Sequence, residues 1–140
     1  MIAVDTNVLL RRLLDDDPAQ SARARRLFDT EREILITDVV LAEAVWTLEG
    51  RRYGASAAHV AQVVGALLEE PNVVFEDVAA IWSALDDFTV ASTTGATAVD
   101  FADALIVNKA KATARRRQTQ YRGTYSFDEA ALALDGMKAP

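Results

Sequence analysis

Short apolar runs along the chain alternate with longer segments in which apolar residues recur at helical spacing. The apolar runs predict buried strands at 2–4, 33–37, 73–75 and 124–127. The segments between them predict helices at 6–14, 18–31, 39–54, 57–68, 78–88 and 98–114, with a loop at 92–97. Strands that alternate with helices of this length are typical of parallel strands joined by crossover helices. The pattern therefore predicts an α/β fold.

Four residues mark the starts of predicted helices. Pro18 suits the first turn of a helix, because its fixed backbone angle matches the helical one. Ser56 and Asp77 are predicted to cap the helices that follow them, and Asp38 is predicted to cap the helix at 39–54.

Length and composition indicate one domain covering 1–140. A chain of 140 residues can bury roughly two-thirds of its unfolded surface. No apolar run approaches the ~20 residues that cross a bilayer. The amino terminus has no signal-peptide pattern, and the chain has no cysteine. We therefore expect a cytoplasmic globular protein with no membrane partner.

The formal net charge of −6 argues against a general nucleic-acid coat protein, because such proteins bind mainly by neutralising phosphates. The basic residues are nevertheless grouped, at 23–26, 51–52 and 109–122. A basic rim around an acidic centre is compatible with this distribution.

Five acidic residues stand where a carboxylate needs a partner. Asp5 and Asp128 each follow a predicted strand, and the carboxyl ends of parallel strands are where such folds bind ligands. Glu43 lies on an apolar helix with no cation on the adjacent turns. Asp100 and Asp103 are three residues apart on one helix and share a face. All five can therefore belong to one site.

Most of these acids also have a simpler interpretation. Asp5, Asp100 and Asp128 can cap the helical segments that follow them, and Glu43 can be a half-exposed helix residue. Four bare carboxylates in one place would repel one another by about 4 kcal/mol for each pair at about 4 Å and an effective dielectric constant near 20. A shared site would therefore require bound cations.

Oxygen ligands without histidine or cysteine favour Mg²⁺ or Mn²⁺ over zinc. The single histidine, His59, is expected to be a surface or packing residue. The sequence offers no Ser–His or Cys–His pair. The acid cluster therefore indicates metal-assisted hydrolysis of a phosphodiester, in which the metals bind the phosphate and lower the pKa of a water molecule.

Four motifs occur in order along the chain: "DTNVLL", "VLAEAVWTL", "DFADALI" and "SFDEAALAL". Together they resemble the PIN domain, and more narrowly the VapC-type ribonuclease toxins of bacterial toxin–antitoxin pairs. The resemblance spans nearly the whole chain. It implies a three-layer α/β/α sandwich with a central parallel sheet of four or five strands and the first strand in the middle. Because 135–140 shows no clear final strand, four strands are favoured.

Residue by residue, the resemblance implies a set of catalytic and metal-binding acids: Asp5, Glu43, Asp103 and Asp128, assisted by Asp100. It implies supporting positions at Thr6, Asn7 and Ser126, with Asn7 orienting Asp5 or a metal-bound water. The implied activity is Mg²⁺- or Mn²⁺-dependent endonucleolytic cleavage of structured RNA, commonly tRNA or ribosomal RNA. The implied partners are a second copy of the chain and a cognate antitoxin that inserts a peptide, often with an arginine, into the acidic groove.

The basic segment 109–123 is longer than the resemblance implies. Its arginines are expected to bind RNA phosphates and its tyrosine to stack on an unpaired base. The residues concerned are Arg115, Arg116, Arg117, Tyr121 and Arg122. A solvated helix end, with cations that interact with the helix dipole, is the alternative. Trp46 and Trp82 are expected to pack in the core or in a dimer contact.

Several other functions compete with the toxin interpretation. A phosphotransfer enzyme of the haloacid dehalogenase type needs a second aspartate where this chain has Asn7. A response-regulator receiver needs a late lysine, which "TYSFDE" lacks. A housekeeping PIN-type RNA-processing nuclease stays open, although the small size without an appended domain favours a toxin. A non-catalytic RNA- or protein-binding module is also open, and the complete acid set argues against it.

Overall fold

The computed structural model describes residues 1–94 and 99–140. The chain forms two compact units, Met1–Glu76 and Asp77–Pro140. Of the predicted loop at 92–97, residues 95–97 lie outside the described residues, as does residue 98 of the last predicted helix. No helix in the described part of the chain is long and apolar enough to cross a membrane.

The first unit contains a parallel sheet and four helices. In chain order they are β1 (Ile2–Ala3), α1 (Thr6–Leu13), α2 (Pro18–Thr30), β2 (Ile34–Ile36), α3 (Asp38–Glu49), α4 (Ala57–Glu69) and β3 (Val73–Phe75). The strand order is β1-β2-β3, with Ile34 opposite both Ile2 and Val73. All four helices and all three strands were predicted from the apolar pattern, but the predicted burial holds only for β2. β3 is half-buried, and β1 has one half-buried and one exposed residue.

The largest fully buried side chains of the first unit come from the sheet and from three of the helices. They are Leu9, Ile34, Ile36, Leu41, Val60 and Val64. Burying one such side chain contributes roughly 1.5–3 kcal/mol. This core fixes the strand ends and helix starts that carry Asp5 and Glu43.

One helix start of the first unit differs from the prediction. Ser56 caps α4 and Pro18 begins α2, as predicted. Asp38, however, is the first residue of α3, and Thr37 is its cap because the Thr37 hydroxyl accepts from the N–H of Val40 at 3.4 Å. Two neighbouring residues were suitable caps, and the pattern selected the wrong one.

In its described residues, the second unit contains two α-helices, one 3₁₀ helix and a small parallel sheet. In chain order they are α5 (Val78–Thr93), α6 (Phe101–Arg116), β4 (Thr124–Tyr125), a 3₁₀ helix (Ala131–Ala133) and β5 (Met137–Lys138). Phe88 of α5 and Phe101 of α6 make an edge-to-face contact, with ring centroids 5.8 Å apart. Both rings are buried, so this contact anchors the start of the helix that carries Asp103.

The prediction of no strand near the carboxyl end is wrong. β5 pairs with β4 in parallel, with Thr124 opposite Met137. Gly123 and Gly136 precede β4 and β5 and have φ values of +132° and +98°. Residues with a Cβ rarely adopt such values. The Tyr121 hydroxyl donates to the carbonyl of Gly136 at 3.1 Å. The strand is too short for its pattern to be visible, and these long-range contacts fix it.

The strands also differ from the expectation of one sheet. The five strands of residues 1–94 and 99–140 form parallel sheets of three and two strands, and β1 is at the edge of the larger sheet instead of in the middle. β1 and β4 have two residues each, which leaves few backbone groups for pairing on a second side.

Several helices end at residues other than the predicted ones. α3 ends at Glu49, because the predicted continuation becomes a turn with Gly54 at φ +57°. α5 extends to Thr93, five residues past its prediction. α6 ends at Arg116, and Gln118 beyond it has φ +53°, a conformation that commonly terminates helices.

Candidate active site

Asp5 follows β1 and caps α1. Its Oδ1 accepts from the N–H of Val8 at 2.8 Å, so the simpler interpretation as a helix cap is confirmed. The side chain is exposed, and Oδ2 makes no hydrogen bond to another described residue. One oxygen of the carboxylate therefore serves the helix, and the other is open to a ligand.

Glu43 is held by a residue of the first motif. The Thr6 hydroxyl donates to Glu43 Oε2 at 2.6 Å, a short bond of the kind formed with ionised acceptors. Thr6 is the first residue of α1, and Glu43 lies in the second turn of α3. The bond therefore joins two helices that each follow a strand of the sheet. Asn7, the other supporting residue of the motif, is exposed and makes no hydrogen bond to Asp5 within the described residues.

The three candidate acids of the second unit, Asp100, Asp103 and Asp128, interact electrostatically. Burial raises the pKa of Asp103 above its ordinary value, and the negative charges of Asp100 and Asp128 raise it further. Asp100 is at the cap position of α6 but makes no side-chain capping bond in the described structure. Its capping interpretation is thus supported by position only.

Asp128 is fixed by local turns. Its backbone N–H donates to Ser126 Oγ at 3.0 Å, and its Oδ1 accepts from the N–H of Ala130 at 2.9 Å. Only a short 3₁₀ helix follows, so Asp128 does not cap an α-helix. Ser126 orients the backbone of Asp128, which suits the supporting role expected for it.

The donors present fit a hard divalent cation. All are carboxylate oxygens, which Mg²⁺ and Mn²⁺ prefer. Burial, and then repulsion by Asp100 and Asp128, raise the pKa of Asp103, and a nearby cation would oppose both effects. Within residues 1–94 and 99–140, no group of three or more acidic or histidine side chains is close enough to hold a metal ion. His59 is on the surface, as expected.

The basic segment is partly occupied by contacts within the second unit. Arg116 pairs with Asp77 at 2.6 Å. The Tyr121 hydroxyl is also 2.9 Å from Thr124 Oγ1, in addition to its bond to Gly136. Arg115, Arg117 and Arg122 are exposed and have no ion pair among the described residues. Among the described residues, these three guanidinium groups are therefore not neutralised by an acidic partner.

Two exposed aromatic residues beside Asp128 are not among the site residues predicted from the sequence. Phe127 is 91% exposed and Tyr125 is 59% exposed. Aromatic residues alternate with Thr124 and Ser126 in this extended segment, and successive side chains of such a segment point to opposite faces. This alternation could have indicated that Tyr125 and Phe127 share one face. Trp46 is 75% exposed, so it does not pack in the core of the first unit, and its packing in a dimer contact stays a prediction.

Comparison with known families identifies one match. The model of the PIN domain matches residues 2–116. The matched range includes Asp5, Glu43, Asp100 and Asp103, and ends before Ser126 and Asp128. None of the curated proteins compared with the chain matches it.

PIN domains have a nuclease-like α/β fold with a parallel sheet, typically bind divalent metals such as Mg²⁺, and are generally metal-dependent ribonucleases. The predicted α/β class is confirmed, and the elements observed are consistent with a three-layer α/β/α sandwich. Since the match covers well over half of the chain, the chain belongs to the PIN domain family.

Proposed function

We propose that this protein is a metal-dependent endoribonuclease and the toxin of a toxin–antitoxin pair. It hydrolyses phosphodiester bonds in a structured RNA, which is tRNA or ribosomal RNA. The observation that carries the proposal is that burial and the negative charges of Asp100 and Asp128 all disfavour ionisation of Asp103, a cost that a bound cation would offset. The family match supports the nuclease part of the proposal.

The metal ligands in this proposal are Asp5, Glu43, Asp103 and Asp128, with Asp100 assisting. Carboxylate-bound Mg²⁺ or Mn²⁺ supplies a Lewis acid for the phosphate and lowers the pKa of the attacking water. The protein's own contribution is orientation of the ligands. The cap bond to Val8 fixes one oxygen of Asp5, and Thr6 fixes one oxygen of Glu43.

Other residues have supporting roles in the proposal. Asn7 is exposed next to Asp5, and its proposed role is to orient Asp5 or the attacking water. Arg115, Arg117 and Arg122 bind phosphates. The whole chain, 1–140, acts as one PIN-like domain, and the family match supports this because it runs continuously from residue 2 to residue 116.

Two protein partners belong to the proposal, a second copy of the chain and a cognate antitoxin. Val39 and Trp46 support a protein contact, since they are 66% and 75% exposed and lie seven residues apart on α3, hence on one face. Large aromatic side chains in this situation are typical of interfaces. The proposal also includes a cytoplasmic location, where the proposed RNA targets occur.

The experiment is cleavage of total cellular RNA by purified protein with Mg²⁺ or Mn²⁺, compared with EDTA. The protein is refolded from denaturant so that no bound antitoxin remains. Glu43→Gln and Asp103→Asn remove one candidate ligand each. Asp29→Asn and Asp86→Asn are matched controls, because both are exposed acids outside the proposed set.

We expect discrete fragments from the wild type and both controls with metal, and none with EDTA or from the ligand variants. Cleavage by Asp103→Asn at the wild-type rate would refute the ligand assignment. RNA binding without cleavage under any metal would instead support the non-catalytic module.

The toxin role needs a separate test, because a housekeeping PIN nuclease would also cleave RNA. Conditional expression in bacterial cells without the antitoxin should arrest growth, and Asp103→Asn should relieve the arrest. Unimpaired growth with active, soluble protein would favour the RNA-processing alternative.

A further inference from the structure

An open groove of about 600 Å³ runs between α1 and α2 in the first unit. These helices form a hairpin with a short connection, so they are antiparallel. Arg11 near the end of α1 therefore faces Gln20 near the start of α2, and Arg11 Nε donates to Gln20 Oε1 at 3.0 Å. The groove also includes Asp5 and Asn7, at the start of α1.

The cations of α2 divide into two classes by their contacts. Arg25 pairs with Asp15 at 2.9 Å and does not line the groove. Arg23 and Arg26 line it, are exposed, and have no ion pair among the described residues. Because they are three residues apart on a helix, their Cβ atoms are about 5–6 Å apart on one face. Two guanidinium groups are therefore presented side by side.

The charge of the groove is opposite to that of the protein. The lining of the groove includes three arginines, Arg11, Arg23 and Arg26, and one acid, Asp5, in a chain with a formal net charge of −6. Arg11 is partly neutralised by Asp16, which it contacts at 2.7 Å. The two remaining guanidinium groups are planar forks that bind phosphate oxygens through paired N–H donors.

The remaining lining is suited to a nucleic-acid strand. Val8, Ala24 and Leu27 contribute apolar surface, and Thr30 contributes a hydroxyl. Apolar surface beside guanidinium groups matches the alternation of sugar or base with phosphate along a strand. An acidic peptide shares the charge but not this alternation.

We propose that the α1–α2 groove binds the backbone of the RNA strand next to the bond that is cut, with Arg23 and Arg26 each contacting one phosphate. This inference rests on the proposed ribonuclease function, because Asp5 both lines the groove and is one of the proposed metal ligands. A strand on Arg23 and Arg26 continues along α1 to Asp5. The groove thus determines which segment of an RNA reaches the site.

The test compares two double variants with the same change in charge. Arg23→Gln/Arg26→Gln removes both groove cations. Arg25→Gln/Arg51→Gln removes two exposed cations outside the groove. Binding of a fluorescein-labelled single-stranded RNA is measured by anisotropy in EDTA, over a series of salt concentrations. Thermal unfolding followed by circular dichroism confirms that each variant is folded.

The salt dependence gives the expected magnitude. Each lost phosphate contact reduces the slope of log affinity against log salt by about 0.7 for a single strand, so the groove variant should lose about 1.4. Its affinity at about 0.1 M salt should fall about 25-fold. The control should keep a slope close to that of the wild type, because its cations act only at long range through screened charge.

The outcomes separate this inference from the proposed function. Equal slopes for the two double variants, or preferential binding of a glutamate-rich peptide, would overturn the groove assignment, even if the wild type cleaves RNA. A groove-dependent slope in a protein that does not cleave RNA would support the groove and refute the nuclease.

Discussion

Replacing Thr6 by valine tests whether its bond to Glu43 serves RNA cleavage. The Thr6 hydroxyl donates to Glu43 Oε2 at 2.6 Å. Valine keeps the branched shape of threonine at the first position of α1 and removes the donor. Thr6→Ser keeps the donor and removes the methyl group. The two variants therefore separate the hydrogen bond from the packing.

The magnitude follows from the strength and exposure of the bond. Hydrogen bonds to charged groups contribute about 1.5–3 kcal/mol, and the lower value applies here because Glu43 is exposed. About 1.4 kcal/mol corresponds to a tenfold change in rate. If the bond acts by orienting Glu43 in the transition state, Thr6→Val should lower kcat about tenfold, and Thr6→Ser should retain most of it.

The assay is the initial rate of cleavage of a fluorogenic RNA, measured across a range of Mg²⁺ concentrations. A positioning role predicts that Thr6→Val also needs more Mg²⁺ for half-maximal rate, a shift that loss of packing alone would not produce. The free energy of unfolding, measured by urea titration, serves as the control for folding. Wild-type kcat in Thr6→Val, or equal losses in the valine and serine variants, would refute the reasoning.

Three further predictions concern stability. Asp77→Ala should lower the free energy of unfolding, measured in urea, by about 1.5 kcal/mol. About 1 kcal/mol comes from the lost cap of α5 and about 0.5 kcal/mol from the lost ion pair with Arg116. Asp77→Asn can still cap the helix, so it should lose only the contribution of the ion pair. Because the backbone N–H of Ala80 and the Arg116 guanidinium hold the pKa of Asp77 below its ordinary value, its charge stabilises the fold fully above about pH 4, its unfolded pKa. The wild-type advantage over Asp77→Ala should therefore shrink as the pH falls further, and a constant advantage would contradict the assignment. Asn108→Ala should lower the free energy of unfolding in urea by about 2 kcal/mol, because the buried amide donates to Asp87 at 2.8 Å. An unchanged free energy of unfolding would show that this bond contributes nothing. Asp103→Asn in EDTA at pH 7 should raise the melting temperature, since a raised folded pKa means that ionisation of Asp103 destabilises the fold, and the gain should vanish at acidic pH.

The elements that sequence predicted well are those fixed by local pattern. The helices and the first three strands follow from apolar spacing, and Ser56 and Asp77 follow from their place before helical segments. β5 was missed because two residues carry no period, and its pairing depends on a turn at Gly136. The start of α3 was misplaced because Thr37 and Asp38 are equally good caps by residue type. Sequence alone does not rank them.

The candidate acids were found because their positions are local properties, each at a strand end or on a helix face. Their partners were not found, because those partners are distant in sequence. Thr6 and Glu43 are 37 residues apart, and Arg116 and Asp77 are 39 apart. A charged residue can be counted from sequence, but whether it is paired depends on tertiary contacts. The arginines at 115–117 look alike in sequence, yet Arg116 differs from its neighbours in the structure.

Asp5 shows that a structural role as a helix cap and a chemical role as a metal ligand are compatible in one residue. A carboxylate has two oxygens, and the cap bond to Val8 uses one of them. The same bond restrains the side chain, so less conformational entropy is lost when the second oxygen binds a cation or a donor. A helix cap at the end of a strand is therefore a good starting point for a metal ligand. For this reason the confirmed capping role does not argue against the proposed catalytic one.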